Sequence, residues 1–199
     1  MTRRGLAAGV GLWALLALPP ARTLLEATLA GHMVGQIGLL AVAGWWLGRG
    51  LGPVRPGEAG GFNRFGAAGV VVALFTLVFW MLPVSLDRAL QEPAWEAAKF
   101  ASVPLLLGLP LARSWPRLPG LARGALWANA VSMLVVMGWV YYEAPVRLCN
   151  NYLLDQQLLL GGAMWGLAAA VALYWTVRAF VGGGAGASRP VGGQAERSP

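Results

Sequence analysis

The side chains of this chain that could do chemistry are few, and most of them are soft donors. One histidine, His32, is followed directly by Met33 and, four residues on, by Gln36. Met81, Met133, Met137, Cys149 and Met164 come later, and the string Asp155-Gln156-Gln157 lies between the last two. Imidazole, thioether and thiolate suit Cu(I), which accepts soft ligands and low coordination numbers. His32, Met33, Met137, Met164 and Cys149 are therefore the candidate metal ligands. Gln36, Asp155, Gln156 and Gln157 are the polar residues that would order helix ends around them through hydrogen bonds. The same donors have other uses. Methionine fills gaps in apolar cores, and a single buried histidine often only bonds to a neighbouring helix. A single haem could take His32 and one methionine as axial ligands. Cys149 is the sole cysteine, so it has no partner for an intramolecular disulfide.

Signatures of soluble catalysis are missing from the sequence: there is no Walker loop, no H-E-x-x-H, no G-x-S-x-G and no second histidine. A non-catalytic role is expected. The chain carries a formal charge of +7, but its arginines are dispersed and no basic stripe is interleaved with aromatics, which argues against nucleic acid as a partner. The charge instead suits contact with anionic lipid headgroups.

The elements that must position these residues are apolar. Of the 199 residues, 57% are hydrophobic and 12% charged, with a mean hydropathy of +0.60, far from a soluble domain. Six apolar stretches fall at about Leu6–Leu18, Ala27–Leu47, Ala67–Leu82, Ala94–Leu111, Gly124–Tyr142 and Gln157–Val181. Several approach the roughly 20 residues that span a bilayer core. The connecting segments alternate in charge. Arg3, Arg4, Arg49, Arg55, Arg64, Arg113, Arg117, Arg123, Arg178, Arg189 and Arg197 fall in one class. Arg22, Arg88, Lys99 and Arg147 fall in the other, together with Glu26, Asp87, Glu92, Glu96, Glu143 and Asp155. By the positive-inside rule the first class is cytoplasmic. The expectation is an all-α integral membrane protein over residues 1–181, a bundle of about six transmembrane helices with both termini inside. Residues 182–199, rich in Gly, Ser and Pro, read as a disordered cytoplasmic tail. The first stretch also has the charge and length of a signal peptide, but proline three before a cut after Ala21 disfavours cleavage.

On this frame His32, Met33 and Gln36 lie in the outer half of the second span. Asn129, Met133, Met137 and Tyr141 recur every four residues along the fifth span as one slowly drifting stripe. Glycine pairs four apart, Gly5/Gly9, Gly31/Gly35, Gly44/Gly48 and Gly162/Gly166, would let helix backbones approach. Glu26 and Asp155 fall at the outer boundary, where they are solvated or, for Asp155, paired with Arg147 or Arg88.

Two strings resemble the CtaG-like family of membrane proteins implicated in cytochrome c oxidase assembly. They are His32-Met33-Val34-Gly35-Gln36, followed by an apolar helix, and Leu154-Asp155-Gln156-Gln157-Leu158, leading to Met164-Trp165. The resemblance implies a multi-span bundle in a bacterial inner membrane, working at its outer face. It also implies a copper-handling role toward a respiratory oxidase or its assembly factors. Where the family pattern has a second histidine, this chain has Gln36. Where the pattern has a histidine-bearing stretch after the central outer loop, Pro93–Ser102 carries Glu96, Lys99 and Phe100. A structural subunit that buries its glycine-rich faces in a larger respiratory complex is the other reading of the same chain.

Overall fold

In the computed structural model, which describes residues 2–52, 63–149 and 151–183, every regular element is a helix. The expected disordered tail lies outside the described residues from 184 onward. Helix α1 (Thr2–Ala17) turns through 72° into α2 (Pro19–Glu26). The turn follows from Pro19 and Pro20. The ring of a proline disfavours helical geometry in the residue before it, and Leu18 is extended (φ −67°, ψ 139°). A proline at the first helical position lacks only an N–H that would be unpaired anyway. The same device bends α4 (Ala67–Met81) by 70° into α5 (Pro83–Gln91), with Leu82 extended before Pro83.

Two helices contain a π-helical turn. Gly31–Gln36 is π-helical and runs without a break into α3 (Ile37–Gly50). Helix α6 (Pro93–Ser102) continues through the π turn Val103–Gly108 into α7 (Leu109–Ser114) and a single 3-10 turn, Trp115–Arg117. The second π turn carries Pro104, which has no N–H to give to the helical ladder. These two π-containing helices pack backbone to backbone. A Cβ on Gly44 would meet the Pro104 carbonyl, and one on Gly108 would meet the Ala41 carbonyl, so only glycine permits the approach.

The remaining helices, α8 (Gly120–Glu143) and α9 (Leu154–Gly183), form a long antiparallel pair. Both are long and apolar enough to cross a membrane, and the bent pairs α1–α2 and α4–α5 raise the number of candidate spans to four. The pair packs into the common apolar core through Leu134, Met137, Tyr141, Leu160 and Met164. At one end a chain of indole contacts runs from Trp45 through Trp115 and Trp127 to Trp175, with ring centroids 6.2, 6.1 and 5.6 Å apart.

The charges separate as the loops require. Arg117 donates to the Asn63 carbonyl and Arg123 to the Pro116 carbonyl, and Gly5 packs against Gly50 beside Arg49. Arg49, Arg117 and Arg123 therefore lie at the end marked by the indole chain. Arg22, Glu26, Glu96 and Lys99 interact with one another at the other end.

Candidate functional site

Lys99 is the only lysine in the chain, and it is fully buried. It lies on α6, one turn before the second π turn, and reaches the first π turn of the α3 helix. Its ammonium nitrogen lies 2.6 Å from Gln36 Oε1, 2.9 Å from His32 Nε2 and 3.1 Å from Glu26 Oε1. An ammonium has three donors, and each has an acceptor here. Gln36 completes the ring by donating from Nε2 to Glu26 Oε1 at 2.8 Å.

The hydrogen-bond directions assign the protons. Tyr152, in the segment before α9, donates its hydroxyl to the Glu26 carbonyl at 2.8 Å. The contact of 3.1 Å between Tyr152 Oη and His32 Nδ1 is therefore served by the histidine proton, with Nδ1–H as donor. Nε2 of the neutral ring is then an acceptor, and it accepts from Lys99. His32 is thus the Nδ1–H tautomer and Lys99 is an ammonium, assigned from the network rather than from observed hydrogens. The π turn helps to set this geometry. His32, Met33 and Gln36 are all buried within it, and the wider turn keeps residues four apart on nearly one face.

A second ion pair, Arg22 with Glu96, lies beside the first. Phe100 touches both cations, its ring centroid 5.9 Å from the Arg22 guanidinium and 5.5 Å from Lys99 Nζ. A cavity of about 300 Å³ opens against this pair, lined in part by Trp13, Arg22, Glu96 and Phe100.

Gln36, Gln156, Gln157 and Asp155 take four different places. Gln36 joins the lysine centre. Gln156 Oε1 accepts from the Leu29 backbone N–H at 3.2 Å, tying α9 to the start of the π turn. Gln157 is buried and organises the preceding loop: its Oε1 accepts from the Leu148 N–H at 2.9 Å, and its Nε2 donates to the Val146 carbonyl at 3.3 Å. Asp155 is exposed and lines a groove with Tyr142 and Leu158. Arg88 lies over the Trp95 ring at 5.0 Å, and no ion pair joins Asp155 to Arg88 or Arg147 among the described residues.

The soft donors Met33, Met137, Met164 and Cys149 belong to one apolar core. Met33 and Met164 are buried, Met137 is half-buried against that core, and Cys149 is buried beside Tyr141. Burial pushes the Cys149 thiol up to about 11, with the nearby Asp87 charge adding to the effect. The Tyr152 hydroxyl is raised for the same two kinds of reason, burial first and then nearby negative charge. No group of three or more His, Cys, Asp or Glu side chains converges among the described residues. His32 offers no free lone pair, because Nε2 accepts from Lys99 and Nδ1 carries the proton. It does not line the cavity beside Arg22 and Glu96 or the groove beside Asp155. As arranged, the residues do not fit a copper ion at His32.

Lys99, Glu26 and Tyr152 complete the centre and are not soft donors. The available signal was a lone lysine inside an apolar stretch, since an ionisable group at membrane depth requires a partner. No protein-family model, curated protein or solved structure matches this chain.

Proposed function

We propose that this protein is a non-catalytic, multi-pass factor of a bacterial inner membrane, with six crossings and both termini inside, that assists cytochrome c oxidase assembly as a scaffold. The observation that carries this reading is the place of Lys99. Three acceptors, His32, Gln36 and Glu26, surround one cationic nitrogen at 2.6–3.1 Å. That is a cation site in which the cation is a side chain and cannot be handed on. The two strings resembling the CtaG-like family flank this centre, and the two family positions that lack histidine here, Gln36 and the Pro93–Ser102 stretch, are the ones that meet at the ammonium. The centre then serves to fix the outer ends of four segments, α2, the π turn before α3, α6 and the Tyr152 segment, as a rigid surface for a client. The position of Arg49, Arg117 and Arg123 at the end opposite Glu26, Glu96 and Lys99 supports this orientation.

Deletion of the gene in its host, with oxidase activity and copper content read in isolated membranes, tests this. Oxidase falls in the deletion strain, added copper does not restore it, and a plasmid copy of the wild type does. Purified protein titrated with Cu(I) against a chelator shows no tight site. Near-stoichiometric Cu(I) that disappears in His32→Ala would overturn the scaffold reading in favour of copper handling. Normal oxidase in the deletion strain would overturn the assembly role itself.

A further inference from the structure

The outward face of α8 carries an unpaired amide near the middle of an apolar helix. Asn129 lies about 4 Å along the axis from the midpoint of Gly120–Glu143, at 1.5 Å per residue. Its side chain is exposed and has no hydrogen-bond partner among the described residues, and the same holds for Ser132 one turn on. In hydrocarbon an amide without a partner is costly, and lipid chains supply neither donor nor acceptor. Only 11% of the most apolar window of α8 is buried, so this face is open.

The spacing around Asn129 is that of a helix seam. Ala125, Asn129, Ser132, Val136 and Trp139 are all exposed and follow one another at intervals of four, three, four and three. At about 100° per residue they run down the middle of the exposed arc, opposite Trp127, Leu134 and Tyr141, which face the rest of the molecule. A mean interval of 3.5 keeps one stripe in contact with a partner helix, and a single asparagine in such a stripe fixes register and number of strands. The small residues Ala125 and Ser132 flank Asn129 and allow close approach there.

We propose that this stripe is a dimer seam whose occupant is α8 of a second copy of the chain, paired through Asn129 on a two-fold axis. The complementarity is chemical. An amide has both donor and acceptor, so two related by a two-fold can exchange hydrogen bonds. Copies inserted in one orientation also bring the same residue to the same depth, whereas a foreign helix needs its own polar group at that level. The inference rests on α8 crossing the membrane and is independent of the assembly role.

Single substitutions Ala125→Cys, Ser132→Cys, Val136→Cys and Trp139→Cys, with Ala130→Cys and Leu134→Cys as opposite-face controls, are oxidised in native membranes carrying the full chain. Wild type, whose only thiol is the buried Cys149, gives the background. Disulfide-linked dimers are expected at the four seam positions and not at the controls. Asn129→Leu is expected to weaken the dimer measured in mild detergent about tenfold. Equal or absent crosslinking on both faces, or crosslinks only to a different protein, would overturn the second copy as occupant. Labelling of seam cysteines by a membrane-impermeant maleimide would instead remove the membrane placement of α8, and the seam with it.

Discussion

Lys99 Nζ lies 2.9 Å from His32 Nε2, so the chain's only lysine donates to its only histidine in a fully buried contact. Two groups that could each be cationic are held together because the network leaves one neutral. The Nδ1 proton is committed to Tyr152, and the charge stays on lysine, compensated by Glu26. The centre is therefore a closed hydrogen-bonded unit joining four segments far apart in sequence.

Removing the ammonium strands its acceptors. Lys99→Met leaves the Glu26 carboxylate without its counter-ion, and about 3 kcal/mol of destabilisation is expected. For a chain of this length that is roughly 6–12 °C in Tm, read by thermal unfolding in mild detergent. Adding Glu26→Gln to Lys99→Met should recover much of the loss, because removing both charges leaves no uncompensated ion. Additive losses would show that the two residues do not act as a pair.

Restoring histidine at the two departing positions should open the centre to metal. The double substitution Gln36→His and Lys99→His replaces the fixed cation with imidazoles facing His32, donors that suit copper. Cu(I) titration against a chelator should show a tight site in the double variant and none in wild type. Equal binding by both proteins would mean that Lys99 does not occupy the cation position.

Helix packing near the centre depends on two glycines. Gly108→Ala drives a methyl group into the Ala41 carbonyl, where backbone lies on both sides and neither yields easily. A loss of about 1–3 kcal/mol is expected. Gly162→Ala is the contrast, since a Cβ there meets nothing within 4 Å. It should change stability by no more than about 0.5 kcal/mol, read by the same unfolding assay.

Cys149 should be an unreactive thiol in the folded protein. With its pKa pushed up to about 11 by burial, the thiol form dominates until the pH approaches that value. Maleimide labelling at pH 7–8 should be slow in mild detergent and rapid after denaturation, when the thiol returns toward an ordinary value near 8.5. Fast labelling of the folded protein at pH 7 would place the thiol at the surface.

Much of the helical plan was legible because apolar run length and proline position act locally. Each of the six apolar stretches falls on a helical run, whereas the short helices α2 and α5, bent off at Pro19 and Pro83, form in segments read only as connections. The Gly44/Gly48 pair reads correctly as a close approach, while Gly162 and Gly166 face open space, since spacing alone cannot say which side of a helix meets a neighbour. The four-residue stripe shows the same limit. Each step of four drifts by about 40°. Asn129 and Met133 are exposed, Met137 is half-buried and Tyr141 is fully buried, so the stripe passes from one environment to another.

The sequence by itself determined the all-helical, strongly apolar character of the chain, the alternation of charge between helix ends and the presence of His32 and Gln36 on one turn. These depend on composition and on spacings within a helix. Only the tertiary structure decided that the partner of that turn is Lys99, 67 residues away, rather than the methionines or Cys149. Which donor meets which cation depends on how the π turns, the proline bends and the backbone contact at Gly44 and Gly108 orient separate helices. That packing is a non-local outcome that no single segment encodes.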